Sequence, residues 1–217
     1  MKPSAFLSWY EKLEHLVQRL PAPLQQPILR EITPIKTLFL LQRAPRLVLL
    51  GASGVGKVEL VNALFSAEAL RPGEENLSDG SWQEIGRAGR GTFKLLDARR
   101  PASLNMLRAA LAEQAPDLFL FVGKGAPPDE DRDHAQEILA FAESQHGSKP
   151  RLLGVLAAAA DSGDPERARQ ELHAALHARA ALSDRMVGTL ALTTSDEIRR
   201  LAELIAIELP GEAQLEM

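Results

Sequence analysis

Leu47-Val48-Leu49-Leu50-Gly51-Ala52-Ser53-Gly54-Val55-Gly56-Lys57 is the stretch on which the reading of this chain turns. Four apolar residues running into a glycine have the pattern of a parallel strand buried on both faces. From Lys57 to Phe65 the apolar residues recur at helical spacing. The glycines between strand and helix let successive backbone N–H groups turn inward around a phosphate, and the helix presents its positive N-terminal end. Lys57 adds a point charge at the outer phosphates. Gly51, Ala52, Ser53, Gly54, Val55, Gly56 and Lys57 are therefore the expected nucleotide-binding residues, with Val58 beside them. The pattern asks for Ser or Thr at that last position, where the hydroxyl coordinates Mg2+. Val58 has no oxygen to give.

Outward from this loop, short apolar runs alternate with helical stretches. Trp82–Ile85 and Gly91–Asp97 read as strands hairpinned through the glycine-rich Gly86–Gly91, followed by a helix over Leu104–Ala115. Leu118–Val122 reads as a strand, Glu130–Glu143 as a helix and Leu152–Ala157 as the next strand. Asp164 offers an N-cap, with Pro165 at the first position of a helix reaching Arg179. Val187–Leu192 is a last strand, and Thr194 and Glu197 have capping-box spacing before a final helix to Leu209. Strands alternating with helices predict a doubly wound α/β domain over residues 46–209, a mostly parallel sheet with helices on both faces.

Composition narrows the class. The 217 residues are 45% hydrophobic and 25% charged, which excludes wholesale disorder. A net charge of −4 and an aromatic content of 5% leave little for nucleic-acid binding, so no nucleic-acid partner is expected. The chain has no cysteine, which excludes disulfides, thiolate metal sites and cysteine nucleophiles. No stretch has the roughly 18 uninterrupted apolar residues of a transmembrane span, and the first residues lack a signal-peptide pattern. A cytoplasmic protein is the expectation. Residues 1–45 form a basic extension in which Phe6, Trp9, Tyr10, Leu13, Leu16, Val17 and Leu20 line one helical face, closed by Pro21 and Pro23. A second helical run extends from Leu24 to Leu41, and residues 210–217 are a short acidic tail.

The order of these features resembles the Era-like branch of the Ras-like P-loop GTPases, from Arg46 to Leu209. The resemblance rests on GASGVGK with the following VELVNALF, on Leu95-Leu96-Asp97 after a strand, on Leu118–Val122, on Asp161 after a strand and on the final strand and helix. It implies GTP or GDP as ligand, Asp97 as a carboxylate holding Mg2+ through water, and Asp161 accepting hydrogen bonds from the guanine edge. It also exposes departures. Between Val58 and Gly91 there is no threonine to coordinate Mg2+ in a first switch, only Ser78 and Ser81. The second switch should be Asp-x-x-Gly, but Arg100 occupies the glycine position within Asp97-Ala98-Arg99-Arg100-Pro101. The guanine box reads Ala158-Ala159-Ala160-Asp161, without the lysine that packs over the base. The last box falls near Ala191–Thr194.

Phosphoryl transfer depends on a positioned metal and backbone donors, so hydrolysis is expected to be slow or absent and Mg2+ poorly held. The expected protein is a degenerate GTPase that binds nucleotide and serves in regulation or scaffolding through a protein partner. Two alternatives stand beside it: a nucleotide-free pseudoGTPase serving as an interaction module, and an active NTPase completed by a dimer partner. Of the remaining polar clusters, His173 and His177 share a helical face, but no third metal ligand accompanies them. Asp129, Glu130, Asp131 and Asp133 suit a helix N-terminus. Arg87, Arg90, Lys94, Arg99 and Arg100 form a basic cluster read mainly as solvated surface.

Overall fold

Arg46–Leu50 forms β1, and its apolar run is buried on both sides because it lies at the centre of the sheet. The computed structural model describes residues 43–65, 80–87, 91–99, 103–157, 163–210 and 213. After β1 the chain forms α1 (Lys57–Phe65), β2 (Trp82–Arg87), β3 (Gly91–Asp97), α2 (Leu104–Glu113) and β4 (Leu118–Gly123). It continues through α3 (Asp129–His146), β5 (Leu152–Leu156), α4 (Pro165–His177), α5 (Ala180–Ser183), β6 (Met186–Ala191) and α6 (Ser195–Glu208). The helices expected over residues 6–20 and 24–41 lie outside the described residues, as does Asp161.

The six strands are ordered β2-β3-β1-β4-β5-β6, with β2 antiparallel to β3 and every other pair parallel. This order, with its one antiparallel edge strand, is that of a Ras-like P-loop domain. Alternate residues of each central strand feed two separate cores. Val48, Leu50, Phe119 and Phe121 face α2, α3, α4 and α5, where Leu107, Leu111, Ile138, Leu139, Leu172, Leu176 and Leu182 are buried. Leu47, Leu49, Leu118, Leu120 and Val122 face Leu60 and Val61 of α1 and Leu201 and Ile205 of α6. Each fully buried aliphatic side chain contributes about 1.5–3 kcal/mol, so both layers are needed. Ala213 is completely buried with the α6 layer, so packing continues past residue 209 into the tail.

Local signals set the helix ends. Thr194 accepts from the Glu197 N–H while the Glu197 carboxylate reaches back to the Thr194 N–H, completing the expected capping box. Asp164 accepts from the Arg167 N–H at 3.0 Å, with Pro165 at the first helical position. The helix expected to reach Arg179 stops at His177; the chain then turns into α5, which places Leu182 in the core. The helix α3 runs three residues past its expected end at Glu143 and closes on Gly147 in the left-handed conformation.

At the end of β1, Gly51 has φ +105°, and a Cβ there would stand 2.1 Å from the Val122 carbonyl oxygen of β4. Only glycine lets the loop leave β1 so close to the neighbouring strand. Gly51→Ala is expected to destabilise the domain by about 3 kcal/mol, through backbone strain and overpacking together. Gly147→Ala, where a Cβ meets nothing within 4 Å, should lose only about 1 kcal/mol. Urea denaturation of both variants measures the difference.

Candidate phosphate-binding site

In an open α/β sheet, ligands bind beyond the carboxyl ends of the strands, where adjacent connections leave toward opposite faces. Here that point lies between β1 and β3. The connection after β1 leads to α1 on one face, and the connection after β3 leads to α2 on the other. The Gly51–Lys57 loop and Asp97 both stand there, 40 residues apart in sequence. Gly51, Gly54 and Gly56 all have positive φ (105°, 72° and 97°), which L side chains rarely adopt. Ser53 and Gly54 are exposed at the loop's tip, Ala52 and Val55 are half-buried, and Gly56 is buried where α1 begins. The Leu60 N–H bonds the Gly56 carbonyl at 2.9 Å as the first turn of α1 forms.

Lys57 folds back over the loop. Its Nζ donates to the Gly51 carbonyl at 2.6 Å and to Asp97 Oδ1 at 2.9 Å. Both side chains are almost wholly buried, at 6% and 1% exposure. Asp97 Oδ2 accepts from Arg99 Nε at 2.6 Å, so one carboxylate bridges two cations. Burial pushes the Lys57 ammonium below its usual pKa; Asp97 acts against that, Arg99 adds to it, and Asp131 opposes it more weakly. Asp131 itself is 6% exposed, in the first turn of α3. One turn further, buried His134 donates from Nε2 to the Ala98 carbonyl at 3.0 Å. This bond ties α3 to the backbone just past Asp97.

These contacts revise two expectations. Arg99, read as solvated surface, is the second cation on Asp97. Asp131, read as one of four carboxylates suiting a helix N-terminus, is buried within electrostatic reach of Lys57. His134 carried no local signal at all; only its helical phase with Asp131 and Ala135 hints at an inward face. Lys94, from the same basic cluster, donates to Gln114 Oε1 at 2.9 Å from the middle of β3, beside Arg46 of β1.

Among the described residues, the side chains beside the loop do not fit a divalent cation. Val58 packs against the apolar layer under α6, and both oxygens of Asp97 are engaged by cations. Among the described residues no three carboxylates or imidazoles converge as a metal ion requires. His173 and His177 do meet, with ring centroids 4.2 Å apart. Their Nδ1 atoms lie 3.1 Å from Thr189 Oγ1 and 2.7 Å from Ser183 Oγ, so the pair pins α4 to β6 and α5.

No protein-family model matches the chain, and no curated protein does. Among solved structures it is similar to the translation elongation factor SelB of Methanococcus maripaludis bound to the GTP analogue GppNHp. That likeness has 18% identity and a TM-score of 0.48, over 77% of this chain and 34% of SelB. Toc33 of Arabidopsis thaliana is 18% identical with a TM-score of 0.47, over 81% of this chain and 80% of Toc33. A variant of SsGBP is 17% identical with a TM-score of 0.45, over 91% and 64%. The chain thus spans about a third of SelB and just under two thirds of SsGBP. Its assignment as a P-loop GTPase fold stands on the strand order and the loop described above.

Two consequences of the site are measurable. Asp97→Ala leaves Lys57 buried beside a like charge, and should lower unfolding free energy by about 3–5 kcal/mol. Lys57→Met combined with Asp97→Leu should lose less than that single change, by urea denaturation. Separately, burial and the neighbouring His177 and Arg169 hold the His173 pKa below its ordinary value. The unfolded chain therefore takes up the proton first, so stability falls as pH drops from about 6.5 toward the lowered value. His173→Gln should flatten that part of the stability–pH curve in thermal melts.

Proposed function

We propose that this domain binds a nucleoside di- or triphosphate through Gly51–Lys57, with GTP and GDP as the first candidates. The observation that carries this is the loop itself: three positive-φ glycines between β1 and α1, with Lys57 bonded back across them at the sheet's switch point. Its backbone N–H groups and the N-terminus of α1 supply the donors that phosphates need. Asp161 would accept from the base edge. Without the lysine of that box, discrimination rests on few polar groups, and GDP should be favoured over ADP by less than about 100-fold. Hydrolysis should be slow or lost, since Val58 and Arg100 replace a metal hydroxyl and a phosphate-sensing glycine. The protein would then act by changing what it holds in a regulatory or scaffolding role.

A second reading, a nucleotide-free interaction module, is favoured by one feature. The charge of Lys57 is already met by Asp97. Isothermal titration of the full chain with GDP, GTP and ADP separates the two. Saturable binding of GDP supports the first reading, and Lys57→Met should weaken it by about 10- to 100-fold through loss of a charge-assisted bond. A flat titration with all three nucleotides rules out the first reading and leaves the second.

A further inference from the structure

The mismatch with Mg2+ has a counterpart in the same site. Lys57 and Arg99 converge on the two oxygens of one carboxylate, at 2.9 and 2.6 Å. Two cations meeting one two-oxygen anion is the arrangement that a terminal phosphate would ask of them. Their exposures differ: Lys57 is sealed under the loop, while the Arg99 side chain keeps 20% of its surface open. Arg99 follows Asp97 by two residues where β3 ends, and the next backbone N–H, that of Ala98, still bonds the Leu49 carbonyl of β1. Arg99 therefore starts from a fixed point beside the loop. The guanidinium is always charged and presents a planar fork suited to phosphate oxygens. Asp131, buried in the first turn of α3, is a weaker negative neighbour of Lys57 than Asp97.

We propose that Arg99 is the countercation for phosphates bound at this loop, in place of Mg2+, and that Asp97 occupies the two cations when no nucleotide is present. This rests on the nucleotide-binding reading above. It goes further in naming a metal-independent phosphate ligand, and it reverses the role of Asp97. A carboxylate that holds a metal aids nucleotide binding; a carboxylate that stands in for phosphate competes with it. Phosphate entry must part Asp97 from Lys57 and Arg99, so binding is coupled to a change at the end of β3.

The test is titration of the full chain with GDP and with inorganic pyrophosphate, in Mg2+ and in EDTA. For the unaltered protein, affinity should change by less than about threefold when EDTA replaces Mg2+. In EDTA, Arg99→Ala should weaken binding by about tenfold or more, and Arg99→Lys, which keeps a charge, by less. Asp97→Asn should tighten binding, with circular dichroism confirming that each variant is folded. A tenfold loss on chelation in the unaltered protein would overturn the proposal without any variant. So would an Arg99→Ala protein that binds as well as its parent, or weaker binding by folded Asp97→Asn. If neither GDP nor pyrophosphate binds the unaltered chain, the nucleotide-binding reading itself fails and this inference falls with it.

Discussion

The ion pair between Lys57 and Asp97 joins two segments that the sheet alone would leave independent. One is the loop after β1, whose glycines have no side chains with which to hold their shape. The other is the end of β3, where the chain must leave for α2. A buried ammonium is unfavourable without a partner, and a buried carboxylate equally so. Each therefore fixes the other, and together with the Gly51 carbonyl they set the path of the loop. Arg99 from outside and Asp131 from α3 complete a small charged core between two apolar ones. Such a cluster adds little net stability over a packed apolar equivalent, but it permits few alternative arrangements.

The sheet supplies the frame for that cluster. Strands β1 and β4 are buried on both faces, and their alternate residues commit each helix to one layer. Because α1 and α6 take one face and α2 to α5 the other, the loop after β1 and the segment after β3 diverge. Ala98 packs into one apolar layer and Val55 and Val58 against the other, and Lys57, Asp97 and Arg99 meet between these segments. His134 reinforces the boundary by bonding the Ala98 carbonyl, so α3 is fixed to the same point from which Arg99 projects.

Much of this was legible from sequence because its causes are local. The loop glycines, the Asp164 cap with Pro165, and the Thr194–Glu197 box act over three to seven residues, and each stands where its spacing indicates. The strands were legible because Leu47–Leu50 and Leu118–Val122 are apolar throughout. What escaped notice depends on contacts across the fold. Asp131 has the same local context as Asp129 and Glu130 and differs only in helical phase. Arg99 gains its role from a strand end that brings it onto Asp97. His134 acts through a backbone carbonyl 36 residues away, which no composition or motif encodes. The expectations placed on Asp161 and on residues 6–41 lie outside the described residues.

At the other end of β1 the chain enters the domain under firm hold. The Arg43 guanidinium makes two bonds to the Asp117 carboxylate, at 2.7 and 2.6 Å, and the Arg46 N–H adds a third at 2.9 Å. This clamp joins the amino ends of β1 and β4, whereas the phosphate loop leaves from the carboxyl end of β1. Five residues of extended chain separate the two, about 16 Å. The domain therefore has two ports on opposite rims of one strand. The Arg43–Asp117 contacts and the loop therefore occupy separate surfaces of the domain. Between them β1 is hydrogen-bonded along its length to β3 on one side and β4 on the other. Such a strand transmits displacement along its length better than it bends.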